Sequence, residues 1–190
     1  MKENKVQTGK EPTWRDIKKR LEIYDRKGLL GLIHDLYSLS RDNRMFLQSR
    51  SGLEGDILKP YKQIISKWVG PSGKWEPKIS VSKAKKAVSD YKKALGRPED
   101  IAELAVYYCE TCTRFLADYG MEDFGYYDAF ALMFEEAMKY IRSLDTDARG
   151  PFLERLEIVL DDCRDFGNGV GQFCEDMMDE YRLEADDEES

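Results

Sequence analysis

Residues 101–119 read IAELAVYYCETCTRFLADY. Ile101, Leu104, Ala105, Tyr108, Cys112, Phe115, Leu116 and Tyr119 recur at i, i+3, i+4 and i+7, a single stripe kept for about five turns. A strand would alternate its faces every second residue, so this period selects an α-helix. Gly120 follows the last apolar residue, and Pro98 stands where a first helical turn tolerates proline.

The same period extends outward in both directions. Thr13 and Asp16 have capping-box spacing ahead of Trp14, Ile17, Leu21 and Tyr24. Asp25 caps a second helix striped by Leu29, Leu32, Ile33 and Leu36. Ser40 caps a third with Met45, Phe46 and Leu47, and Gly52 suits its exit. Leu58, Tyr61, Ile65 and Trp68 mark a fourth. Residues 70–81 hold two prolines and two glycines and read as the one long internal loop, with Trp75 plugging a neighbouring surface. Ser82 is the expected cap of a fifth helix with Ala84, Ala87, Val88, Tyr91 and Leu95, ended by Gly96.

Beyond Gly120 three more helices follow. Tyr127, Phe130, Ala131, Phe134, Met138 and Ile141 stripe the seventh. The eighth starts near Pro151 and carries Phe152, Leu156, Val159, Leu160 and Cys163. The ninth carries Val170, Phe173, Cys174, Met177 and Tyr181. No segment sustains a period of two. The expectation is an all-α fold of about nine helices packed as antiparallel hairpins, in a compact bundle or a short irregular stack. Residues 13–183 form one helical domain, 1–12 a flexible tail and 184–190 an acidic disordered tail.

Composition narrows the setting. Apolar runs such as Leu29–Ile33 are far shorter than the roughly 20 residues a membrane span needs. The polar start carries no secretory signal, and 4 cysteines are too few for a disulfide scaffold in 190 residues. A cytoplasmic location is expected, with no membrane partner.

Charge is distributed unevenly. Residues 1–97 carry 23 Lys and Arg against 11 Asp and Glu, whereas residues 98–190 carry 7 against 26, so a formal net charge of −7 conceals a basic half. Lys83, Lys85, Lys86, Lys92, Lys93 and Arg97 form its densest stretch. With Ala87, Val88, Tyr91 and Leu95 inward, Lys86 and Lys93 point away from the core and Lys85 and Lys92 lie on one flank. These six are the candidate anion- or partner-binding residues. Aromatics are not interleaved and arginine is scarce, so nucleic acid bound here would be held by its phosphates, without sequence readout.

The remaining motifs point to no chemistry. Cys109 and Cys112 form a C-x-x-C in mid-helix, where a redox pair would open a helix. Cys163 and Cys174 lie eleven apart, unlike a zinc-finger half. Cysteine as a small buried hydrophobe accounts for all four. His34 is the single histidine and suits an exposed surface position. Carboxylates are abundant in the second half, with Glu103/Glu110 and Asp128/Glu135 seven apart and Asp161, Asp162 and Asp165 clustered, but the Glu-x-x-His of di-iron bundles is missing. Gly167-Asn168-Gly169-Val170-Gly171 lacks the strand and the Gly-Lys ending of a phosphate loop; it reads as a helix corner with Gly167 left-handed. No catalytic residue, metal or cofactor is assigned.

Three stretches taken together, LLGLIHDLYSLSRDNRMFLQSR (29–50), SKAKKAVSDYKK (82–93) and 100–138, resemble in order and spacing a family of small bacterial cytoplasmic all-helical proteins of unknown function. The likeness runs from about Ile17 to Tyr181. It implies a bacterial or phage-related source and a single helical domain, and brings no active-site residues with it. The expected role is a non-catalytic interaction or adapter module, binding a protein partner or a copy of itself. The alternative is a sequence-independent nucleic-acid binder using the Lys83–Arg97 helix.

Overall fold

The computed structural model describes residues 11–52, 55–73, 78–167 and 169–188. Among the described residues there are nine helices and no strand: α1 (Trp14–Leu21), α2 (Arg26–Leu39), α3 (Arg41–Arg50), α4 (Lys59–Val69), α5 (Val81–Ala94), α6 (Pro98–Tyr119), α7 (Phe124–Arg142), α8 (Thr146–Cys163) and α9 (Val170–Glu188). The all-α expectation holds. Contacts divide the chain into two units, Met1–Arg44 and Met45–Ser190.

In the first unit local chemistry defines the helix ends. The Asp16 carboxylate reaches back to accept from the Thr13 backbone N–H at 2.9 Å and from its hydroxyl at 2.6 Å. Asp25 accepts from the Gly28 N–H at 2.7 Å and starts α2. Ser40 accepts from the Asn43 N–H at 3.1 Å, and the Asn43 side chain donates to the Leu36 carbonyl at 2.8 Å, closing the joint after α2. These are the caps the sequence announces. Neither α1 nor α2 buries a single residue.

The second unit is organised around α6, whose 22 residues span about 33 Å. It packs against α4, α5, α7 and α8, while α9 lies on α7 and α8. The stripe read from the sequence is buried, apart from Tyr119 at 51% exposure. Ala102, Val106, Cys109, Thr111 and Thr113 are buried too, so α6 is covered nearly all round. The two threonines return their hydroxyls to the Tyr107 and Glu110 carbonyls, which lets a polar residue sit inside. Tyr61, Tyr91, Tyr108, Tyr126, Phe130 and Phe134 are all essentially inaccessible. A large apolar side chain buried to this degree contributes about 1.5–3 kcal/mol.

Four local readings change. α5 starts at Val81 with Ser80 at its N-cap position, two residues ahead of the expected Ser82 cap. α8 starts at Thr146, with Pro151 inside it, because the Arg149 guanidinium donates to the Leu144 and Arg142 carbonyls and ties the first turn to the end of α7. The left-handed glycine of the α8–α9 corner is Gly169 (φ 74°), in place of Gly167. α9 runs to Glu188, through residues where like charge predicts disorder. Trp75, residues 1–10 and residues 189–190 lie outside the described residues.

Candidate interaction surfaces

The six basic residues around α5 divide into two groups. Lys86 and Lys93 are exposed on the outer face, as helical geometry requires, while Lys85 and Lys92 are half-buried on the flank. Several are already engaged. Lys83 sits over the Trp68 ring at 3.8 Å, Lys86 pairs with Asp90 one turn along at 2.5 Å, and Lys92 pairs with Glu136 and lies 4.8 Å from the Tyr140 ring centre. Arg97 is exposed at the start of α6. The stretch is therefore partly neutralised by groups its own unit supplies.

Lys85 and Lys92 face a groove of about 670 Å³ formed by α5, α7 and α9. Its floor is Val88, Met133, Met138 and Met177, and Lys139 and Arg142 join its rim with Glu135 and Glu136. Burial, helped by the nearby Lys139 charge, pulls Lys92 below the usual lysine range. Lys139 and Arg142 come from the acidic half, so a tally by halves misses them. The available signal is their position in the last turn of α7, where cations favour the helix dipole. The groove combines polarisable thioethers with a charged rim, and no nucleophile paired with a base lines it.

Residues weighed for chemistry turn out to hold the fold. Glu103 and Glu110 grip Arg155: its Nε and Nη2 donate to Glu110 at 2.7 and 2.9 Å, and Nη1 donates to Glu103 at 2.5 Å. Lys62 reaches Glu103 at 2.6 Å. Burial pushes the Glu103 carboxyl up, but hydrogen bonds from Arg155 and Lys62 outweigh it and hold the group below its ordinary value. Asp128, Glu135, Asp161, Asp162 and Asp165 are exposed, and among the described residues no group of three or more metal-ligating side chains converges. His34 is exposed, 3.9 Å from Asp35.

All four cysteines are free and buried. They are spread over α6, α8 and α9, and the Cys163 thiol donates to the Leu160 carbonyl at 3.5 Å. Burial pushes the Cys109 thiol well up, and that of Cys112 to about 12. Such thiols are poor nucleophiles at neutral pH.

The surface of another kind belongs to the first unit. On α2, Leu29, Leu30, Leu32, Ile33, Leu36, Tyr37 and Leu39 are all exposed, between 36% and 77%. On and after α1, Trp14, Ile17, Ile23 and Tyr24 are exposed as well. Amphipathic stripes that normally face a core here face outward. By contrast, exposed large apolar residues of the second unit are scattered: Phe46, Tyr119, Leu132, Ile158 and Phe173.

No family model, no curated protein and no solved structure matches the chain. No helix among the described residues is long and apolar enough to cross a membrane.

Proposed function

We propose that this chain is a non-catalytic helical interaction module that engages a protein partner through α2. The observation that carries this reading is the outward apolar face of α2, seven large hydrophobic side chains within 14 residues. Leaving so much apolar surface in water forgoes several kcal/mol that a partner would recover. The nucleic-acid alternative rests on the α5 lysines, and it is weakened by the internal pairing of Lys83, Lys86 and Lys92.

The test compares the wild-type chain with Leu32→Glu/Leu36→Glu, both purified under native conditions from the source cell. The reading expects a stoichiometric protein with the wild type, or a second copy of the chain, and neither with the variant. A wild-type chain that stays single and monodisperse would overturn it. A nucleic-acid module would instead bind labelled DNA or RNA, losing affinity steeply between about 50 and 200 mM salt. Lys86→Glu/Lys93→Glu would abolish that binding.

A further inference from the structure

The groove between α5, α7 and α9 lies wholly in the second unit and owes nothing to α2. Its volume of about 670 Å³ falls within the roughly 300–1,000 Å³ usual for small-ligand sites. The floor is aliphatic. Val88, Met133 and Met138 are almost wholly buried, Met177 is half-buried, and Leu132 lines the groove with 52% of its surface in water. No aromatic ring is among the described residues that line it. A planar base or ring finds no face to stack on here, whereas thioethers adapt to a flexible hydrocarbon chain.

The charge of the rim is unbalanced. Lys85, Lys92, Lys139 and Arg142 stand against Glu135 and Glu136, an excess of two cations in a chain whose formal net charge is −7. Glu136 pairs with Lys92, and Arg142 lies 3.9 Å from Glu180. Lys139 is exposed and has no ion pair among the described residues. Burial, and then the charge of Lys139, hold Lys92 below the usual lysine range, so the two ammonium groups oppose each other. An anion between them relieves that opposition. Lys139 and Arg142, three residues apart, share a face of α7 and gather with Lys92 at one end of the groove. Lys85 stands seven residues before Lys92, about 10 Å away along α5.

We infer that this groove binds a free aliphatic carboxylate, with its head between Lys92 and Lys139 and its chain over Val88, Met133, Met138 and Met177. Glu136 offsets Lys92, so Lys139 supplies the one unpaired cation at this end and matches a single negative charge. Glu135 and Glu136 on the same rim repel an anionic bilayer surface, yet leave room for one head group. The ligand is therefore a dissolved chain and not a lipid held in a membrane.

Calorimetric titration of the full chain with decanoate, kept below its micellar range, tests the inference. One site per chain is expected. Affinity should rise about twofold to fourfold for each methylene between hexanoate and decanoate. Decyltrimethylammonium, with the same chain and the opposite charge, should neither bind this site nor displace decanoate. Lys139→Glu reverses the unpaired charge and should weaken decanoate about tenfold. Leu132→Glu, at an exposed position, should weaken it as well. Both side chains lie outside the core, so both variants should melt like the wild type.

Methyl-labelled methionine spectra of the wild type locate the ligand without any substitution. Decanoate should shift the Met133, Met138 and Met177 resonances and leave Met45, on α3, in place. Absence of decanoate binding overturns the inference, as does equal binding of the cationic amphiphile. Binding that ignores both variants and moves none of the three methionines places the ligand elsewhere and overturns it too. So does retention on phosphatidylglycerol vesicles by a chain that ignores free decanoate. None of these failures touches the reading of α2, which is tested by a co-purifying protein and by Leu32→Glu/Leu36→Glu.

Discussion

Arg155 holds two carboxylates that sequence spacing presents as a pair with nothing between them. Glu103 and Glu110 lie seven apart on α6, and the guanidinium that joins them comes from α8. Arg155→Met leaves half-buried Glu110 without its cation and Glu103 with Lys62 alone. We expect a loss of about 2 kcal/mol in urea unfolding, below the range for fully buried pairs because water screens this one. The pH dependence has a definite sign. Glu103 titrates lower in the folded chain than its ordinary 4.5, so its contribution is complete above about pH 4.5 and fades as pH falls through the folded value. Wild-type stability should drop in acid below about pH 4.5, and Glu103→Gln should flatten that drop. The thiols give a second check at this scale. With all four buried and Cys109 and Cys112 pushed up, a thiol reagent at neutral pH should label none in the folded chain and four in denaturant. Gly171 gives a third. A Cβ there would meet the Arg164 carbonyl oxygen at 2.6 Å and the Cys163 carbonyl oxygen at 2.9 Å, backbone atoms that cannot swing aside. Gly171→Ala should cost about 1–3 kcal/mol by thermal melting.

At the level of elements, the sequence was most readable where a helix end is specified by its own side chains. Thr13/Asp16, Asp25 and Ser40 act where their spacing places them, because a cap needs only a neighbour three residues away. It was least readable where a distant group sets the boundary. The early start of α8 depends on Arg149 binding carbonyls at the end of α7, and Pro151 alone suggests a later start. The face of α5 followed from geometry: a 100° step per residue puts Lys86 and Lys93 outside once Ala87, Val88 and Tyr91 are inside. The partners of its lysines did not follow, since Trp68, Glu136 and Tyr140 lie on α4 and α7. Of the candidate site, then, the residues were legible and their occupation was not. Because Lys86 and Lys93 project into solvent, Lys86→Glu/Lys93→Glu should change the melting free energy by no more than about 0.5 kcal/mol. Any larger loss in that measurement would mean these two side chains hold the fold.

Across the whole molecule, every residue of the apolar core belongs to the second unit, beginning at Met45. Removing residues 1–44 should therefore leave 45–190 helical and cooperatively folded. Its melting temperature should stay within a few degrees of the full chain by circular dichroism, while the association attributed to α2 disappears. A non-cooperative melt would place part of the stability in the first unit. The sequence by itself determined the class of fold, the approximate course of the helices and the absence of any chain segment fit to cross a membrane as a helix. Those properties rest on local period, capping and run length, each of which is written within a few consecutive residues. Tertiary structure alone decided that identical-looking stripes meet different fates. The stripe of α6 is enclosed by four helices, while that of α2 stays in water; all four cysteines are buried, on three helices; and Glu103 and Glu110 close on an arginine from α8. The physical reason is that an amphipathic period states which side of a helix avoids water, and only the packing of distant elements states what covers that side.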